Sequence, residues 1–279
     1  MIQHDINIPY HDMKLFGSPT LKSIAQELER VANSDPDRPE ISSQEQSQEE
    51  VQVSLHFDSL ANISTWFIRG NNVLVPKGQP PLLCIHPIAT DASFFAPYWI
   101  KPPQGQDNIA VQIPGRDNRI GEFILSNVSE IVSEILEEME PVIGTPVIIW
   151  GHSFGGIVAF ETIRELRRLG VHPLPRLVVT ATIAPRLLRS WKKRPIMQRL
   201  SAESVEVGYA ISTSRSVDDA AFVRSILPNF RRDARWFSSY EYISEEPLNL
   251  PITAFATRHD DFVYPDQVKA WEEQTAVYS

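Results

Sequence analysis

Short runs of consecutive apolar residues alternate along this chain with longer stretches in which apolar residues recur every three or four positions. The runs are Leu82 to His86, Asn108 to Ile113, Pro146 to Trp150, Arg176 to Thr182 and Pro251 to Ala256. Runs that are apolar on both faces predict strands buried inside a parallel sheet. Between them, Val128, Ile131, Val132, Ile135, Leu136 and Met139 form one helical stripe, and Ile157, Val158, Phe160, Ile163 and Leu166 form another. Strand–helix alternation predicts an α/β fold, a mostly parallel sheet with helices on both faces. Residues 186–247 break the rhythm with helix-like pieces and no clear strand. An insertion there lies above the strand C-termini and is expected to be a lid.

The N-terminal part follows another pattern. Ser18 can cap a helix, Pro19 suits its first position, and Leu21, Ile24, Ala25, Leu28 and Val31 line one face. Residues 33–52 are rich in Asp, Pro, Ser, Gln and Glu and predict a flexible linker. The globular part is expected over 53–279.

Composition narrows the choice. The chain has 279 residues, 42% of them hydrophobic, and a net charge of −9, which supports a sizeable core and disfavours nucleic acid as a partner. The one cysteine, Cys84, can form no internal disulfide, fits a reducing, cytoplasmic compartment, and reads as a buried strand residue. No apolar run reaches membrane-spanning length, no signal-peptide pattern opens the chain, and no cluster of residues has metal-ligand spacing.

The candidate chemistry lies in Ile148-Ile149-Trp150-Gly151-His152-Ser153-Phe154-Gly155-Gly156, an apolar strand running into Gly-x-Ser-x-Gly and then a helix. Glycines at 151 and 155 remove Cβ atoms from a sharp turn that lifts the Ser153 hydroxyl toward substrate. A plain Gly-rich turn is the bland alternative. A nucleophilic serine of this kind needs an acid and a base after it in the order Ser, Asp or Glu, His. Asp260, following the run that ends at Ala256, is the candidate acid. Asp261 is its alternative, and helix capping the competing role. None of the seven histidines, His4, His11, His56, His86, His152, His172 and His259, follows Asp260. The strand and loop carrying the base are expected beyond Ser279, so residues 1–279 alone are expected to be nearly inactive. His86 is the fallback base. Backbone amides of Phe154 and of Ile88 or Ala89, in the loop His86 to Asp91, are the candidate oxyanion donors.

The segment Gly151 to Glu161 closely resembles the nucleophile elbow of thioesterases that serve nonribosomal peptide and polyketide synthases. Val111-Gln112-Ile113-Pro114-Gly115-Arg116-Asp117-Asn118-Arg119 resembles a Gln-Leu-Pro-Gly-Arg-Glu-x-Arg segment of the free-standing, type II group. Pro251 to Ala254 and Trp271 match that group too, and the late position of Asp260 fits it better than the fused, product-releasing type. The resemblance covers roughly residues 80–279. Residues 13–31 resemble the last helix of a carrier domain, so 1–32 is expected to be the tail of a carrier fused upstream.

The resemblance implies an α/β-hydrolase fold and a serine thioesterase. Its substrate would be an acyl or peptidyl thioester held on the phosphopantetheine arm of an acyl or peptidyl carrier domain. It implies no cofactor bound by the domain itself, no metal, and no nucleic-acid or membrane partner. Two alternatives compete: a non-catalytic carrier-docking domain and a general carboxylester hydrolase. Thr90-Asp91 stand where the family carries paired glycines. Lys192, Lys193 and Arg194 are candidate carrier-docking cations, with a solvated helix face as the competing reading.

Overall fold

The computed structural model describes residues 64–69, 80–96, 108–192, 220–256, 260 and 262–277. The expected carrier tail (1–32) and linker (33–52) lie outside the described residues, as do His259, Asp261, Lys193 and Arg194.

Among the described residues, the five runs read as strands and one further short strand form a six-stranded sheet. Its strands are β1 (Phe67–Arg69), β2 (Leu82–Ile85), β3 (Asn108–Val111), β4 (Ile148–His152), β5 (Arg176–Thr180) and β6 (Ile252–Phe255), in the spatial order β1-β3-β2-β4-β5-β6. β2 through β6 are parallel, and β1 pairs antiparallel with β3. β1 has no counterpart in the sequence reading. Its three residues, one of them a charged arginine, are too few to show a period.

Residues alternate between two apolar clusters, as the pleat requires. Leu83, Ile85 and Ile149 join the larger cluster, which also holds the buried stripes of α1 (Val128–Met139) and α2 (Phe154–Arg168). Leu82, Cys84, Ile148 and Trp150 face the other way. There the cover among the described residues is a 3-10 turn, Ala92–Phe95, whose Phe95 meets Trp150 edge-on at 5.0 Å between ring centroids. Asn127 caps α1 by accepting from the Glu130 N–H at 3.0 Å.

Two consequences position a site. The chain runs from β2 outward to β3, then crosses back to β4 on the other side of β2. The C-terminal ends of β2 and β4 therefore flank the point where strand order reverses, the place where ligands bind in open α/β sheets. The insertion between β5 and β6 contains α3 (Leu188–Trp191) and α4 (Ala220–Ser239) and returns as extended chain to β6. Beyond β6 come α5 (Pro265–Lys269) and a 3-10 turn that buries Trp271. No described helix is long and apolar enough to cross a membrane.

Candidate active site

Ser153 stands between β4 and α2 at φ 54°, ψ −119°, a conformation that costs a non-glycine residue about 1–3 kcal/mol. Its surroundings hold it there. The Ser153 N–H donates to Thr180 O at 2.9 Å, and the Thr182 hydroxyl donates to Ser153 O at 3.0 Å. A Cβ on Gly151 would lie 2.2 Å from Gly155 O, and one on Gly155 would lie 2.1 Å from Ile85 O. The glycines thus serve a close backbone approach, and the first turn of α2 rests directly on the end of β2.

That approach brings the expected oxyanion loop to the serine. Ile85 is in register with Gly151, so residues 86–91 leave the sheet beside the elbow. Phe154 is the first residue of α2, and its amide falls outside the intrahelical ladder at the positive end of the helix dipole. In the loop the two candidate amides part company. Ala89, at φ 65°, donates its N–H to Asp233 Oδ2 at 2.8 Å. Of the two candidate donors, the Ala89 amide is thus engaged by a carboxylate from α4. The Ile88 amide meets no acceptor among the described residues. Asp91 accepts from Ser93 N–H at 2.8 Å and caps the 92–95 turn.

The described histidines are not built as bases for Ser153. His86 is fully buried, and its Nδ1 donates to Pro87 O at 2.8 Å. Its Nε2 is buried without a partner. Burial, then the Arg116 charge, push its pKa well below the ordinary value. A general base must become imidazolium, and this pocket opposes that charge, which removes His86 from the role. Burial also lowers His152, to about 4. Its Nδ1 lies 2.8 Å from the Thr180 hydroxyl, which accepts the Trp150 indole N–H at 3.0 Å, and its ring stacks on Phe94 at 5.2 Å. His172 lies in the exposed loop after α2.

Asp260 sits past β6, two strands from β4. Its Oδ1 accepts from the N–H groups of Phe262 at 2.8 Å and Val263 at 2.9 Å. Those bonds fold the carboxylate into its own loop. The helix-capping alternative does not describe it, because the start of α5 is closed by Gln267 Oε1 accepting from Tyr264 N–H at 3.0 Å.

Lys192 is engaged within the fold. Its ammonium donates to Ser238 O at 3.1 Å and Tyr240 O at 2.6 Å and lies 5.5 Å from the centre of the Phe237 ring. It closes the C-terminal end of α4, and desolvation lowers its pKa. These bonds give Lys192 a role inside the fold beside the docking role expected of it.

The thioesterase domain family profile matches residues 80–277. The chain belongs to the thioesterase family. This thioesterase is 31% identical over 221 residues to the gramicidin S biosynthesis protein GrsT of Aneurinibacillus migulanus, an alignment spanning 77% of this chain and 84% of that one. Among solved structures it resembles the type II thioesterase BorB from the borrelidin biosynthetic cluster. There the TM-score is 0.66 and the identity 27%, over 76% of this chain and 86% of the other. It also resembles RedJ of the prodiginine pathway in Streptomyces coelicolor, with TM-score 0.61 and 25% identity over 74% and 80% of the two chains. The mostly parallel α/β sheet expected from the strand–helix rhythm, and the α/β-hydrolase fold that the resemblance implied, are the architecture found.

The thioesterase site also contains residues that the sequence reading did not assign. Thr182 clamps the elbow, and Asp233 holds the 86–91 loop through the Ala89 N–H. Arg116, within the Pro-Gly-Arg segment, is fully buried against Asp233, with Nη2 donating to Oδ1 at 2.8 Å and Nη1 to Oδ2 at 3.0 Å. In sequence, Arg231-Arg232-Asp233 looks like an ordinary solvated helix face.

Proposed function

We propose that this thioesterase releases acyl or peptidyl groups from the phosphopantetheine arms of carrier proteins in nonribosomal peptide or polyketide assembly. The observation that carries the reading is Ser153, held in a strained strand-to-helix turn beside the β2 loop. The named roles of GrsT, BorB and RedJ support the substrate class.

The Ser153 hydroxyl attacks the thioester carbonyl while a histidine outside the described residues takes its proton, oriented by Asp260. The amides of Phe154 and Ile88 receive the developing oxyanion. Collapse of the tetrahedral intermediate expels the pantetheine thiolate, which the imidazolium protonates. Water then repeats the sequence on the acyl-enzyme and frees the acid. The domain binds no cofactor of its own in this scheme, because the arm arrives with the carrier. The resemblance of residues 13–31 to a carrier's last helix supports a carrier fused upstream, and the activity belongs in the cytoplasm, where carriers are loaded.

The test uses the natural full-length protein and its Ser153→Ala variant. Wild type should hydrolyse a carrier-bound acyl thioester and take up a fluorophosphonate at Ser153, and Ser153→Ala should do neither. Removing a nucleophile of this kind costs on the order of 10⁶-fold in kcat. Labelling at another serine, or turnover surviving in Ser153→Ala, would overturn the assignment.

A further inference from the structure

Both halves of the oxyanion site lean on one helix of the insertion. On one side, the Phe154 ring stacks on Trp236 at 6.3 Å and meets Phe237 edge-on at 6.1 Å. On the other, Asp233, a turn earlier on α4, accepts the Ala89 N–H. Trp236 is anchored in turn, its indole N–H donating to Leu125 O at 2.7 Å. Asp233 is 1% exposed and Arg116 is fully buried. The same Arg116 Nη1 that reaches Asp233 also donates to Thr90 O at 2.7 Å, so arginine and carboxylate together grip consecutive residues of the loop. Arg232 adds a contact from Nε to Asp233 Oδ1 at 3.3 Å.

Stability alone does not account for this cluster. A buried ion pair barely repays its desolvation, and apolar replacements of similar volume are often as stable. What the fork supplies is geometry. It fixes a carboxylate oxygen at hydrogen-bonding distance from an amide whose residue is in the left-handed region. It also neutralises a negative charge beside the place where the oxyanion develops. An unpaired carboxylate there would oppose the transition state.

We propose that Asp233 is a positioning residue for the thioesterase reaction. From the insertion helix it holds Ala89, and with it the 86–91 loop, in the shape that offers the Ile88 amide to the tetrahedral intermediate. Arg116 fixes the carboxylate and cancels its charge. Displacement of α4 then withdraws the support of both amides at once, so the insertion controls the oxyanion hole as well as access to it. This inference rests on the thioesterase reading and adds a residue and a coupling to it.

The test compares two double variants of the full-length protein, Arg116→Met/Asp233→Asn and Arg116→Met/Asp233→Leu. Both remove the Arg116–Asp233 charge pair and leave Arg232 equally without the carboxylate, on its bonds to Gly115 O and Asn229 Oδ1, and Asn and Leu have similar shape. Only Asn keeps an oxygen for the Ala89 N–H. Turnover of a carrier-bound thioester should be roughly 10- to 100-fold lower in kcat for the Leu variant than for the Asn variant, with KM little different between them. Equal kcat in the two double variants overturns the proposal. Amide hydrogen exchange in the wild-type protein needs no variant to fold. Protection of the Ala89 amide supports the proposal, and exchange at the rate of an open loop overturns it. Failure of the thioesterase reading looks different, because the wild-type protein itself would then show no turnover and no label on Ser153.

Discussion

Ser153 and Ala89 are both non-glycine residues at positive φ, 54° and 65°, in the neighbouring turns that follow β4 and β2, yet they are held in different ways. Ser153 is fixed by its own neighbourhood. Its N–H and C=O are clamped from the adjacent strand end, and glycines two residues away on either side let backbone meet backbone. Ala89 is fixed from afar by a carboxylate 144 residues later in the chain. The elbow is thus a rigid property of the sheet, whereas the oxyanion loop depends on where the insertion helix stands. The comparison predicts that damage to the elbow is structural and severe, and that damage to the loop is functional and mild.

The largest effect follows from adding one methyl group to the elbow. In Gly155→Ala the new carbon would lie 2.1 Å from Ile85 O and 2.7 Å from His86 O, both backbone atoms of a central strand end that cannot step aside. We expect a loss of roughly 3–5 kcal/mol, read as a shifted urea midpoint or as failure to fold. A fully stable Gly155→Ala protein would show that the elbow is not the rigid half.

The two regions differed as much in how far they could be read from sequence. Five of the six strands, both core helices and the elbow were legible because each is written in contiguous residues: an apolar run, a stripe at helical spacing, two glycines around a serine. β1 was not, since three residues carry no period. The loop's support was not legible either. Arg116 and Asp233 meet only because β3 ends beside β2 and the insertion folds over both, and a charged residue gives no local sign that it will be buried. The internal bonds of Lys192 were illegible for the same reason. Its charge suggested a partner, and the fold gives it the carbonyls of Ser238 and Tyr240 at the end of α4.

Acid should act on both regions through one buried histidine in each. Burial holds His152 of the elbow at about 4 and His86 of the loop well below its ordinary value, so both are neutral in the folded protein near neutrality. The unfolded chain binds those protons at about pH 6.5. Stability is therefore whole above pH 6.5 and declines as pH falls toward 4, where His152 alone accounts for about 3 kcal/mol. Urea midpoints should hold from pH 7.5 to about 6.5 and fall from there to 4.5, and His152→Asn, which keeps an acceptor for Thr180, should flatten the slope by about one proton. An unchanged slope in that variant would mean that the His152 pocket admits the charged ring.

A smaller effect, of opposite sign, should come from Ala89→Gly. Glycine occupies φ 65° without the penalty an alanine carries there, so the folded state should gain up to about 1 kcal/mol, less the entropy of a freer unfolded chain. The Asp233 acceptor remains, and kcat should change little. If Ala89→Gly destabilises as strongly as Gly155→Ala, the loop is locked by its own packing and the contrast between the two regions collapses.

The smallest effect tests what Lys192 does. Its ammonium sits at the C-terminal end of α4, where the last carbonyls lack intrahelical donors and the helix dipole favours a cation. Lys192→Met keeps most of the apolar stem against Phe237 and removes only the donors. It should lower stability by about 1 kcal/mol or less. Because α4 also carries Asp233, any loss of activity should pass through the helix and fall equally on a carrier-bound thioester and on a small free thioester. A docking cation would behave otherwise. It would slow the carrier-bound substrate selectively and grow weaker as salt rises, since an exposed charge is screened and a half-buried one is not. Equal slowing on both substrates, unaffected by salt, is the result that assigns Lys192 to the support of the insertion helix.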